Sequence, residues 1–325
     1  MELLFIILTI IMGIGVGWSI GANDAANSLG TAVGSRVISL RQGIILIAVF
    51  GFLGALLQGG FVIKTIGKGI VPVGELDKTA RTYLAVVAAF SACAWVVLAT
   101  YRKMPISTSH SIVGGVAGAG LAIGAAVKWK VLLDIFICWI LTPVGAGVLG
   151  YIFYMIFKKL FYRFVPRKYS EVTMAVLIVV SGCYVAFSWG ANDVANAVGV
   201  IGGTGILSIH ASLILGGVAI VLGIVTWGYR VIETVGSEIA HLLPVMAFSA
   251  QLASAINVHF YTLLGVPVST SHSIVGAVFG IGLARGVRVV NLKIMKEIVI
   301  CWLATPFVSG LISFSGMKII SWFLK

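Results

Sequence analysis

Two short patterns carry most of the hydroxyls, amides and acids that could do chemistry in an otherwise apolar chain. PISTSHS stands at residues 105–111 and returns as PVSTSHS at 267–273; GANDAAN stands at 21–27 and returns as GANDVAN at 190–196. In the hydroxyl pattern Pro105 sets the backbone ahead of a helix, Ser107, Thr108 and Ser109 are capping types, and small residues follow. A helix N-terminus offers unsatisfied N–H groups and about half a positive charge, which suits a tetrahedral oxyanion, and the hydroxyls add donors. Plain helix capping is the alternative use of these residues. Retention of Ser-Thr-Ser-His-Ser in both copies, while the surroundings diverge, favours a ligand role for Ser107, Thr108 and Ser109 and for Ser269, Thr270 and Ser271.

Neither hydroxyl motif contains Lys or Arg, so an anion held there must be neutralised by other means. The acidic motifs supply them. Asp24 and Asp193 each sit among amides, Asn23 and Asn27 in one copy and Asn192 and Asn196 in the other. Oxygen-only ligands suit a hard cation, and residues three apart share a helix face. Sodium fits this set better than zinc or copper, while an Asp that only caps a helix is the bland alternative. Hydrogenphosphate carries about two negative charges near neutral pH, and two aspartates in the same cavity would repel it. Cations or protons on those aspartates would make the two sites interdependent. His110 and His272 follow the hydroxyls as second-tier candidates, able to protonate, to bind the anion, or to rest on a neighbouring carbonyl. Thr142 and Thr305 precede Pro143 and Pro306; their hydroxyls are expected to satisfy carbonyls freed at proline kinks, with a lesser chance of facing a pathway.

The elements that hold these residues must be membrane helices. Of 325 residues, 60% are hydrophobic and 10% charged, and apolar runs of the roughly 20 residues needed to cross a bilayer recur throughout. The expectation is an all-α polytopic membrane protein of about ten to twelve segments. The first apolar run has no basic residue ahead of it and reads as a retained helix, not a signal peptide. Cys93, Cys138, Cys183 and Cys301 lack the paired spacing of a metal or disulfide site. The net charge of +12 is scattered over short links and forms no nucleic-acid stripe.

The acidic motifs lie 169 residues apart, the hydroxyl motifs 162, and WILTP (139–143) returns as WLATP (302–306) after 163. A weaker echo pairs KTIGKGI (64–70) with ETVGSEI (233–239). The chain is therefore expected to be two homologous repeats, 1–157 and 172–325, joined by a basic link at 158–171 that the positive-inside rule puts in the cytoplasm. Both motifs are expected to interrupt helices, and irregular backbone survives in lipid only when buried in protein or lining a wet cavity. Paired interruptions point to the midplane site of a secondary transporter working by alternating access. Parallel and inverted arrangements of the repeats both fit this pattern. A membrane hydrolase would need one distinguished serine in a sharp turn such as G-x-S-x-G, which the sequence lacks. An anion channel is the other rival.

At these residues the sequence resembles the inorganic phosphate transporter family, whose duplicated signature matches GANDAANSLGTAVGS with PISTSHSIVGGVAGAG and GANDVANAVGVIGG with PVSTSHSIVGAVFGIG. The resemblance implies a phosphate importer of the cytoplasmic membrane with an inverted-repeat fold, commonly a homodimer, and not an enzyme. It also implies phosphate ligation by Ser107, Thr108, Ser109, Ser269, Thr270 and Ser271, with Asn23 and Asn192 grouped beside them. Asp24, Asn27, Asp193 and Asn196 would hold the coupling ion. Sodium is the expected ion and no organic cofactor is needed. Proton-coupled, metal-phosphate and sulfate-carrying members leave alternatives open.

Overall fold

The computed structural model describes residues 2–102, 106–229, 232, 243–285 and 292–323. Pro105 and the echo at 233–239 lie outside these. The described residues form helices α1 (Glu2–Asp24), α2 (Ala26–Gly34), α3 (Leu40–Gln58), α4 (Gly60–Lys64), α5 (Lys78–Tyr101), α6 (Thr108–Ala122), α7 (Trp129–Phe164), α8 (Ser170–Thr204), α9 (Ile209–Gly223), α10 (Pro244–Leu263), α11 (Thr270–Arg285) and α12 (Leu292–Phe323). Local chemistry explains several starts. Ser39 and Gln42 form a reciprocal capping box at α3, the Asp77 carboxylate accepts two backbone N–H groups at α5, and Ser208 caps α9.

Seven helical stretches among the described residues are long and apolar enough to cross a membrane. The three other sizeable helices are α10, α6 and α11, which brings the long segments to ten. At 1.5 Å per residue the 15 residues of α6 cover only about 23 Å, short of a hydrocarbon core of about 30 Å. The outer face of α7 exposes Leu133, Phe136, Ile140, Val144 and Val148, an apolar surface suited to lipid. By contrast α6 and the second half of α8 are almost wholly buried.

Helices from before and after the 158–171 link lock into each other. Packing pairs α1 with α9 and α3 with α8, then α6 with α12 and α7 with α11, so each of these contacts joins one half to the other. Glycines make the approach possible. A Cβ on Gly21, the first residue of GANDAAN, would overlap the Ile220 carbonyl on α9, and one on Gly190, the first of GANDVAN, would overlap the Gly51 carbonyl on α3. Gly13 of α1 faces Ala197 and Ile201 of α8, whereas Gly182 of α8 faces Ser28 and Leu29 of α2. Numbering rises along α1 and α2 as it falls along α8, so the two stretches run antiparallel.

One expectation changes here. The acidic motif interrupts its helix only in the first half, at Ala25 between α1 and α2; in the second half α8 continues unbroken through residues 190–196. The basic link at 158–171 is also mostly helical, divided among the end of α7, a 3₁₀ turn at Arg167–Tyr169 and the start of α8.

The interlock predicts a steep cost for filling it. Gly118→Ala would drive a methyl into the Gly310 backbone of α12, whereas Gly60→Ala enters open space. The first should lower the thermal midpoint of the detergent-solubilised protein, at a cost of about 1–3 kcal/mol, and the second should leave it within error. Equal midpoints would refute the close approach of α6 and α12.

Candidate functional site

The starts of α6 and α11 meet the acidic motifs at the centre of the bundle, and they do so across the halves. The Ser271 hydroxyl, from the second half, donates to Asp24 Oδ1 at 3.4 Å and accepts from Asn27 Nδ2 at 3.0 Å. In the mirror arrangement Ser109, from the first half, lies 3.5 Å from Asp193 Oδ1 and accepts from Asn196 Nδ2 at 2.8 Å. Thr108 adds a donor to Asp24 Oδ2 at 3.2 Å. Asp24 and Asp193 are 2% and 1% exposed, so both acids lie out of reach of bulk solvent and against the hydroxyl motifs.

The two cation candidates differ in what they leave free. Asn196 donates to Asp193 Oδ1 at 3.0 Å, one helical turn along, and orients the carboxylate. Asn196 Oδ1 is then buried without a hydrogen-bond partner, and Asp193 also has the Trp189 side chain of its own helix as a donor. A carboxylate and an unpaired amide oxygen on one helix face are ligands of the type that a hard cation takes. At Asp24 both carboxylate oxygens already accept a hydroxyl.

The remaining expected ligands divide by role. Ser107 and Ser269 accept the backbone N–H of His110 and His272 at 3.2 and 3.3 Å, which is the capping use of the motif. Thr270 is buried at the start of α11. Asn192 spends its side chain on scaffolding: it donates to Thr262 Oγ1 and the Val266 carbonyl and accepts the N–H of Val268. It thereby pins the extended segment that leads into α11. Asn23 donates to Thr100 Oγ1, the counterpart of the Asn192–Thr262 pair. Thr100 and Thr262 share the 162-residue offset of the hydroxyl motif, a repeat signal that lies outside the two motifs.

The second-tier residues also come together. The rings of His110 and His272 lie 4.6 Å apart. His110 stacks on Trp139 at 3.7 Å and His272 on Trp302 at 3.5 Å. His110 Nδ1 contacts the Trp302 carbonyl at 3.1 Å, and His272 Nδ1 the Trp139 carbonyl at 3.5 Å. Thr142 and Thr305 do not serve the carbonyls that proline frees. Their hydroxyls donate to Cys138 and Cys301, each at 2.6 Å, one residue short of the carbonyls four before Pro143 and Pro306. A side chain's reach back to its own i−4 carbonyl sets this outcome.

Comparison with known proteins shows the family. A family model described as the phosphate transporter family matches residues 20–313. A protein of Chlamydia pneumoniae named as a phosphate permease is 32% identical over 86% of this chain and 89% of its own. A similarly named protein of Pyrococcus furiosus is 31% identical over 85% and 86%. A solved structure titled the sodium-dependent phosphate transporter superposes with a TM-score of 0.89 at 30% identity, covering 98% of this chain and 99% of that one.

The scaffolding reading of Asn192 has a measurable consequence. Asn192→Ala strands the buried Val268 N–H and should cost about 1–3 kcal/mol, read as a lower thermal midpoint in detergent. Asn23→Ala, which gives up one bond to a hydroxyl, should shift the midpoint less. The reverse order would contradict it.

Proposed function

Because the chain belongs to the phosphate transporter family, whose members move a solute and are not enzymes, we propose that it imports inorganic phosphate together with sodium. The site lies where the two halves meet. The observation that carries this reading is the crossing contact of each buried aspartate with the other half's hydroxyl motif, Asp24 with Ser271 and Asp193 with Ser109.

In this reading Asp193 with Asn196, and Asp24 with Asn27, hold sodium, and Thr108, Ser109, Thr270 and Ser271 take the phosphate oxygens. Ser107 and Ser269 set the helix starts, while Asn23 and Asn192 support them. Sodium on the two carboxylates removes the repulsion that a doubly charged anion would meet, and the anion in turn balances the loaded cations. At close range and away from water that mutual stabilisation is large, so neither solute binds well alone. The Ser271 hydroxyl, which faces Asp24, and the Ser109 hydroxyl, which donates to the Val268 carbonyl at 2.8 Å, would turn to phosphate when the site loads. The antiparallel course of α1 and α8 supports an inverted repeat, in which rocking of one half against the other exposes the site to either side. We place the protein in the cytoplasmic membrane with the 158–171 link inside, as a dimer on family resemblance.

Uptake of labelled phosphate into proteoliposomes tests the reading. An inward sodium gradient should drive uptake, arsenate should compete, and sulfate should compete weakly. Uptake driven by a proton gradient and indifferent to sodium would replace sodium with protons; sulfate outcompeting phosphate would overturn the substrate. Asp193→Asn should reduce sodium-driven uptake by about tenfold or more and flatten its dependence on sodium concentration. Wild-type sodium dependence in that variant would remove Asp193 from the cation site.

A further inference from the structure

Proline has no N–H, so Pro143 in α7 and Pro306 in α12 leave the carbonyls of Trp139 and Trp302, four residues earlier, without a helix donor. Both carbonyls lie within the bundle, where an unpaired acceptor is costly. The histidines of the hydroxyl motifs supply the missing donors, each in the opposite half: His110 of α6 to Trp302 of α12, and His272 of α11 to Trp139 of α7. A carbonyl only accepts, so Nδ1 carries the proton in both rings.

The same register continues along each helix pair. On α6 His110, Gly114 and Gly118 face Trp302, Pro306 and Gly310 of α12. On α11 His272, Gly276 and Gly280 face Trp139, Pro143 and Gly147 of α7. Each tryptophan ring stacks on the histidine of its own half while its carbonyl accepts from the histidine of the other. The four residues thus form a closed crossed clasp, one position beyond the hydroxyls of Ser109 and Ser271.

We propose that His110 and His272 are positioning residues for phosphate: by donating Nδ1–H to the carbonyls that Pro306 and Pro143 free in the opposite half, they hold both hydroxyl motifs at one shared site. The clasp rests on the phosphate reading above and adds to it the cause of the motifs' alignment. It accounts for histidine at the position after Ser109 and Ser271, and for proline four residues after Trp139 and Trp302. A proline-freed carbonyl can be claimed by a foreign donor without breaking a helix bond.

The test is sodium-dependent phosphate uptake in proteoliposomes, normalised to folded transporter, with the wild-type protein measured first. Wild type inert toward phosphate would defeat the functional reading; the variants speak to the clasp alone. His110→Ala should raise the KM for phosphate about five- to tenfold with Vmax largely kept. His110→Asn, whose amide N–H overlays Nδ1, should recover most of the affinity, and His110→Gln, whose amide overlays Nε2, should not. Pro306→Ala returns a backbone donor to the Trp302 carbonyl, so the double variant Pro306→Ala/His110→Ala should bind phosphate better than His110→Ala. If His110→Ala does not fold, the Asn and Gln variants decide by themselves. Rescue by Gln in place of Asn would assign the ring's work to Nε2, which is buried without a partner, and would overturn the clasp, as would a double variant no better than the single one.

Discussion

Two carboxylates buried inside a membrane protein set the terms for everything around them. An aspartate in this setting carries a desolvation cost of several kcal/mol unless polar groups or cations meet it. Asp24 and Asp193 are met by hydroxyls and amides, and among the described residues no lysine or arginine bonds to either. The polar groups come from the helices of both halves, so the halves cannot separate without exposing the acids to lipid. The site and the interlock are one structure.

That constraint explains the distribution of small residues. For hydroxyls on α6 and α11 to reach acids at the end of α1 and within α8, four helices must converge at a distance that ordinary side chains would forbid. Glycine at positions 21 and 190 brings each acidic motif against the neighbouring half. The glycine stripe on α6 and α11 brings each hydroxyl motif against the proline-bearing helix opposite. Packing of this kind is the main source of helix association where lipid is as apolar as the side chains.

Near-symmetry also contains a useful asymmetry. The first acidic motif breaks at Ala25 and satisfies both Asp24 oxygens through Thr108 and Ser271, whereas the second sits in a continuous helix and leaves Asn196 Oδ1 unpaired. Among the described residues, the duplicated motifs thus sit in two environments that differ in the oxygens they leave free.

Residue types and their spacing determined much of this protein without coordinates: a helical membrane architecture, from composition and run length; duplication, from three strong motif pairs in the same order; and the acids and hydroxyls, from their cost in an apolar chain. Only the tertiary structure decided which half each acid would face. Cross-half pairing between residues such as Asp24 and Ser271 depends on the direction in which helices run and on their packing register, and neither leaves a periodic trace in one sequence. For the same reason Asn192 reads as a ligand in the sequence, while in the structure its side chain bonds to Thr262, Val266 and Val268 before α11. The histidines looked ambiguous because the acceptors of their Nδ1 protons are the Trp302 and Trp139 carbonyls, freed by prolines on the other side of the bundle.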